Sequence, residues 1–169
     1  MSSAASDFEE LERGAAVLYG AARGIWVMIL FGKPTKADML LARPALAAMS
    51  KRESAGFPTL TWILPEAGLS MDNDARTAAA EVTREYAKQI LAQATLIELS
   101  GFQGATVRAI VAGLDMMSRS ASPKKVFGEL PPAIDWCARL AKDKTVLDDV
   151  ARIVATLQGT RAGLVAKTS

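Results

Sequence analysis

Short apolar runs alternate with amphipathic segments along this chain, and the alternation restricts the folds that it can adopt. The apolar runs are Ile25–Phe31, Thr59–Leu64, Thr95–Leu99 and the short, weak Lys125–Phe127. Each run is followed by residues whose apolar side chains have helical spacing. Such alternation is typical of an α/β domain with a central, largely parallel sheet. It predicts an architecture and names no chemistry.

The first two predicted strands form a hairpin. Ala15–Tyr19 and Ile25–Phe31 flank a turn region at Gly20–Gly24, and so short a connection favours antiparallel pairing. The second strand is apolar at nearly every position, as expected for an interior strand that is covered on both faces. We therefore predict that Trp26 and Ile29 are buried.

Helix signals occur between and after the strands. Thr35 and Asp38 have the spacing of a capping box, and Pro44 should bend the helix that follows them. Four more helices are predicted. The first begins near Asp72, Asn73 or Asp74 and runs to about Ala94, and the second covers Val107–Met117. The third opens at Pro131-Pro132 with Cys137 on its inner face, and the fourth covers Thr145–Gln158.

A chain of 169 residues is one domain by length. We expect a polar segment over 1–12, a single domain over 13–159 with about five strands in a mixed sheet covered by helices, and a flexible tail over 160–169. The last helix, residues 145–158, presents a stripe of Val146, Val150, Ile153 and Leu157. That stripe docks on the domain itself, or on a second copy of the chain in a homodimer.

Composition and charge argue against several partners. The net charge of +2 is small, and the basic pairs Lys51–Arg52 and Lys124–Lys125 are far apart without interleaved aromatic residues, so no nucleic-acid binding is expected. The longest apolar run has seven residues, whereas a membrane span needs about 20. A single cysteine and a polar N-terminus without the features of a signal peptide favour a reducing, cytoplasmic location.

Residue types also limit the chemistry. The chain has no histidine, which excludes Ser-His-Asp and Cys-His mechanisms, and Cys137 sits at an apolar helical position that favours packing. The carboxylates of Glu66, Asp72 and Asp74 are hard ligands that could hold a divalent cation, but they lack the spacing of a known loop. Helix capping and solvated charge are the favoured interpretation, and no metal or cofactor is predicted.

A glycine pair suggests an alternative ligand. Gly101-Phe-Gln-Gly104 precedes a predicted helix, and its amides, with Gln103 and the nearby Arg108, could bind the phosphate of a nucleotide. A tight strand-to-helix turn explains the same glycines without any ligand, and that interpretation is favoured.

The order of elements, together with local sequence, resembles the sulfate-transporter and anti-sigma-factor-antagonist (STAS) family over roughly residues 13–141. The similarity rests on the strand–helix unit Ile25–Met49, on Ala109–Leu114, and on Val126-Phe127 followed after a Glu-Leu-Pro-Pro turn by Ala133-Ile134-Asp135-Trp136. The last helix lies beyond the core of the family and is an addition.

The resemblance implies a mostly non-catalytic protein that binds other proteins and, in some members, nucleotides or lipids. Many members are switched by phosphorylation of a serine or threonine after the third strand. Here the only hydroxyl over residues 64–74 is that of Ser70. The usual Asp-Ser-(Ser/Thr)-Gly pattern is replaced by Pro-Glu-Ala-Gly-Leu-Ser-Met-Asp.

These observations predict a STAS-like regulatory or accessory protein without enzymatic activity. Its protein or peptide partner should bind loops at the carboxyl ends of the strands, where open α/β sheets place ligands. The predicted binding residues are Glu66, Ser70, Asp72, Gln103 and Arg108, with Ser70 as a candidate phosphorylation site. The alternative function is a small-molecule or nucleotide-binding accessory protein, within a biosynthetic pathway.

Overall fold

The computed structural model describes residues 7–67, 70–98 and 121–168, with residues 105, 108, 109 and 112, and shows an α/β domain built on one mixed sheet. Its six strands lie in chain order: β1 Glu9–Arg13, β2 Val17–Ala22, β3 Ile25–Leu30, β4 Phe57–Ile63, β5 Ile90–Ile97 and β6 Lys124–Phe127. Strands β1 to β3 pair antiparallel, and β3 to β6 pair parallel. The predicted α/β class is confirmed, with six strands rather than about five.

Strands β2 and β3 form the predicted hairpin, but the turn is tighter than expected. It consists of Arg23 and Gly24, which both have positive φ, at 47° and 84°. Two residues with positive φ give a turn whose twist matches that of the flanking strands. Gly20 is therefore not a turn residue. It lies inside β2, where a Cβ atom would collide with the ring of Phe8.

The prediction that residues 1–12 lie outside the domain is wrong for the described part of that segment. Phe8 is buried, and Glu9–Arg13 form β1 at the edge of the sheet. The backbone of β1 is held by pairing with β2 despite its polar side chains. A bulge or irregularity between Glu10 and Glu12 interrupts the register of β1 with β2. The charged side chains of β1 and this irregularity disfavour pairing of this edge strand with another chain.

Helices cover both faces of the sheet. On one face, called the α3 face, lie α1 Lys36–Leu40, α2 Ala42–Arg52 and α3 Asn73–Glu85; on the other, called the α5 face, lie α4 Leu130–Leu140 and α5 Val150–Thr168. Each face has its own apolar core. Trp26 is 6% exposed on the α3 face and Ile29 is fully buried on the α5 face, as predicted.

The helix predicted after Thr35 is broken rather than bent. Thr35 and Asp38 form the predicted capping box at the start of α1. The chain leaves the helix at Leu41, and α2 then begins at Ala42. Pro44 explains the break, because it has no N–H to donate to the carbonyl of residue 40 and its ring crowds the preceding turn.

The predicted helix from Asp72 to about Ala94 is too long. Asp72 caps α3, but the helix ends at Glu85, and β5 begins at Ile90. Residues 90–95 alternate between buried and partly exposed side chains, which is the period of a strand. The apolar spacing at Tyr86 and Ile90 fits either structure locally, and pairing with β4 decides for the strand.

The last helix is longer than predicted. A 3₁₀ segment, Lys144–Asp149, leads into α5, which runs past Gly159 to Thr168, so the prediction of a flexible tail over 160–169 is wrong for 160–168. The stripe docks on the domain itself: Val146, Ile153 and Leu157 are buried, and Val150 packs against them.

Within the described ranges no helix is both long and apolar enough to cross a membrane. The predicted turn Ser100–Gly104 lies outside those ranges. Most of the helix predicted over Val107–Met117 also lies outside those ranges; within it, residues 108, 109 and 112 are helical.

Cys137 is predicted to be unreactive in the folded protein. It is fully buried in α4, with Sγ 3.9 Å from the carbonyl oxygen of Thr59. Burial raises the pKa of Cys137 to about 12, and the thiolate is the form that attacks thiol reagents. We expect no reaction with a disulfide reagent at about pH 8 until the protein is unfolded in guanidinium chloride. Fast labelling of the folded protein would contradict the packing of α4.

Candidate functional site

The loop between β4 and α3 carries three of the predicted binding residues. Glu66 is exposed in a 3₁₀ turn, Pro65–Ala67, and Ser70 is exposed after it. Asp72 is also exposed, but its carboxylate accepts the backbone N–H of Ala75 at 2.8 Å and caps α3. Glu66 and Ser70 therefore face solvent, whereas Asp72 also has a structural role.

The other two predicted residues are only partly located. Gln103 lies outside the described residues, and Arg108 is exposed at a helical position. Strands β4 and β5 are adjacent and parallel, with Ile63 opposite Ile97. The segments that leave them therefore start from one edge of the sheet, as predicted.

An open pocket of about 520 Å³, called here the carboxyl-edge pocket, lies at the carboxyl ends of three parallel strands. Its lining comes from β4, from the residues after β5 and β6, and from both helices of the α5 face: Trp62, Glu98, Gly128, Glu129, Leu130, Pro131, Gln158 and Arg161. Ligands of open α/β sheets bind at this edge. None of the lining residues that the structure describes belongs to the predicted set.

Three side chains form a polar network in this pocket. The guanidinium of Arg161 donates to both carboxylate oxygens of Glu98, with Nη2–Oε2 at 2.6 Å and Nε–Oε1 at 3.1 Å. The indole Nε1 of Trp62 donates to Glu98 Oε1 at 3.1 Å. The two charged side chains remain 24% and 31% exposed, so a bound molecule can reach both members of the pair.

The elements of the α5 face explain why this network forms. Trp62 points into the apolar core and is 1% exposed, and a buried indole N–H requires an acceptor. Glu98 follows the last residue of β5 and supplies that acceptor. Arg161 lies one turn beyond Leu157, which anchors α5 in the core. The helix thus holds the guanidinium over the ends of the strands.

Sequence reasoning missed this network because Arg161 lies beyond Gly159, where the last helix was predicted to end. One signal was available. Leu164 extends the apolar spacing of Ile153 and Leu157 past the glycine, which indicates a longer helix. Gly159 is exposed and has open space where a Cβ would be, so nothing in the packing ends the helix there.

The chain matches no protein-family model, no curated protein and no solved structure. The described residues also contain no group of three or more histidine, cysteine, aspartate or glutamate side chains arranged to hold a metal ion. What the pocket can bind must therefore be inferred from its own side chains.

The charges of the pocket favour a cationic group over a phosphate. Helix α4 begins at this pocket, but Pro131 and Pro132 occupy its first turn and remove two of the N–H donors that would bind an anion. Glu129 adds an exposed carboxylate at the helix start. The described lining residues thus carry two carboxylates and one guanidinium, a net negative charge.

Proposed function

We propose that this chain is a non-catalytic regulatory or accessory protein with a STAS-like fold, and that it binds a protein or peptide partner at the carboxyl-edge pocket. The observation that carries the proposal is the Glu98–Arg161 ion pair, partly exposed above Trp62 at the ends of three parallel strands. The likeness to the STAS family over residues 13–141 rests on the local sequence and on the order of elements predicted from it.

The partner segment carries a lysine or arginine side chain. Such a side chain pairs with the exposed carboxylate of Glu129 and is attracted by the negative charge of Glu98, and the aliphatic part of it packs beside Leu130 and Pro131. Glu66 and Asp72 are exposed in the loop that follows β4 and add two carboxylates to that loop. Ser70 in the same loop is exposed, so a kinase can reach it, and a phosphate there strengthens the attraction for a basic segment.

The non-catalytic assignment rests on the side chains at hand. The chain has no histidine, and its one cysteine is buried with a raised pKa. The pocket offers an ion pair and an exposed carboxylate, which suit recognition of charge. We propose a reducing, cytoplasmic location because the chain has a single cysteine and therefore cannot form an internal disulfide.

Site-specific photo-crosslinking tests the location of the partner. In the test protein a benzophenone amino acid replaces Gln158, which is exposed and lines the pocket. In the control protein it replaces Ala155, which is exposed on the same helix but is not among the lining residues. Irradiation of cells should give a crosslinked protein with the probe at 158 and not at 155. Identical products from both positions would contradict the site.

The purified partner then gives a quantitative prediction. Glu98→Gln keeps an oxygen acceptor for the Trp62 indole and removes the negative charge, and circular dichroism of the variant checks that the fold survives the loss of the ion pair with Arg161. We expect partner binding to weaken about tenfold, as for loss of a partly buried charge pair. Glu81→Gln on the exposed side of α3 is the control and should bind like the parent. Equal affinities for all three proteins, measured by calorimetry, would refute the proposed role of Glu98.

A further inference from the structure

A second cavity lies on the opposite face of the sheet, between the strands and α3. It has a volume of about 150 Å³, and an adjoining cavity of about 70 Å³ shares Met28, Met39 and Thr61 with it. Most of its walls are apolar, from Met28, Met39, Ile63, Met71 and Ala79. Methionine side chains adapt their shape to a guest, so three of them suit a binding cavity.

The floor of this cavity is unusually polar for the inner face of a sheet. Thr61 of β4 and Gln93 and Thr95 of β5 line it, and all three are partly exposed. The amide of Gln93 donates to the hydroxyl of Ser122 at 2.8 Å, which fixes its orientation. A few polar groups in a mainly apolar cavity are the usual composition of a small-molecule site.

Arg76 supplies the only charge among the described lining residues. Its Nε is buried and has no hydrogen-bond partner, and its Nη2 makes only a long bond, 3.3 Å, to the carbonyl oxygen of Met71. No carboxylate among the described residues pairs with it. A buried donor without a partner is costly, so a guanidinium held this way beside a cavity favours binding of an acceptor from outside the described residues.

We propose that this cavity binds a small organic carboxylate, with its carboxylate on Arg76 and its apolar body among the methionines. A guanidinium binds a carboxylate with two parallel hydrogen bonds, and Arg76 is the described lining residue that can donate them. A cavity of 150 Å³ holds a benzene-sized molecule, which sets the body at about six to eight carbon atoms. The absence of acidic side chains from the described lining favours an anion over a cation.

This site is independent of the proposed partner site. Thr61 and Ile63 line the cavity on the α3 face, whereas Trp62 between them points to the α5 face and the carboxyl-edge pocket. Variants at Arg76 and at Glu98 therefore test different proposals, and either can fail alone.

Calorimetric titration of the full chain with benzoate, and with benzamide as its neutral counterpart, tests the proposal. We expect saturable binding of benzoate and binding of benzamide that is at least tenfold weaker. Arg76→Met keeps an unbranched apolar stem and removes the charged guanidinium, and it should weaken benzoate binding about tenfold to a hundredfold. Arg84→Met, on the exposed side of the same helix, should leave the affinity unchanged.

Two further variants separate binding from folding. Arg76→Lys keeps the positive charge and should retain part of the affinity. Ala79→Leu fills the cavity and should abolish benzoate binding while cooperative thermal unfolding persists. The proposal is overturned if the parent shows no saturable benzoate binding, if benzamide binds equally well, or if Arg76→Met binds like the parent.

Discussion

Removal of residues 145–169 is expected to abolish cooperative unfolding of the domain at 25 °C. The deleted segment supplies five buried apolar side chains to the core of the α5 face, those of Val146, Ile153, Val154, Leu157 and Leu164. Burial of such a side chain contributes about 1.5–3 kcal/mol, so the loss is on the order of 10 kcal/mol. That is comparable with the whole free energy of unfolding of a typical domain, about 5–15 kcal/mol.

A shorter truncation is the matched control. A chain that ends at Val165 keeps every one of these buried side chains, and its melting temperature in circular dichroism should stay close to that of the parent. The single substitution Leu157→Ala should destabilise by about 2–5 kcal/mol in urea unfolding. If deletion of 145–169 instead leaves the melting temperature unchanged and removes a dimer in ultracentrifugation, α5 serves a subunit interface rather than the core of its own domain.

Local signals made the central part of the fold predictable. The apolar run Ile25–Phe31 predicts an interior strand because every position must be covered, and β3 lies between β2 and β4. The spacing of Thr35 and Asp38 predicts a capping box because both hydrogen bonds join residues three positions apart. In each case the residues that determine the structure are close together in the chain.

The errors concern segments whose structure depends on distant neighbours. The polar sequence Glu9–Arg13 has no strand signal, and it forms β1 because β2 offers an unpaired edge. Ile90–Gln93 fit a helix by spacing, and pairing with Phe57–Thr59 makes them a strand. Helix α5 continues past Gly159 because Leu164 is buried in the core.

The polar sites were harder to predict than the fold for the same reason. Glu98 and Arg161 are 63 residues apart, and no spacing rule joins them. Arg76 lies in an ordinary amphipathic helix, and only the packed structure shows that its Nε has no partner. By contrast, Asp72 was predictable as a helix cap because its acceptor role is local.

Replacement of Asp38 by alanine is expected to destabilise the protein by about 3 kcal/mol. Asp38 is 3% exposed, and its carboxylate accepts the N–H of Ala15 at 2.8 Å and both the N–H and the hydroxyl of Thr35 at 2.9 Å. It thus ties the entry to β2 to the start of α1. Alanine leaves these donors without their acceptor. Asp38→Asn should be nearly as harmful, because its NH₂ group would face one of the donors.

The stability lost in Asp38→Ala should depend on pH in a defined direction. Burial alone would raise the pKa of Asp38, but the hydrogen bonds from Thr35 and Ala15 outweigh it and lower that pKa below its ordinary value. The stabilisation is therefore complete above the pKa of the unfolded state, about 3.9, and is lost as the pH falls through the lower pKa of the folded state. Urea unfolding of the parent and of Asp38→Ala should show the largest difference at neutral pH and a shrinking difference in acid. The control variant Asp74→Ala, at an exposed position, should have the same pH profile of stability as the parent. If the acid profiles of Asp38→Ala and the parent are parallel, the carboxylate of Asp38 is not stabilised in the folded state.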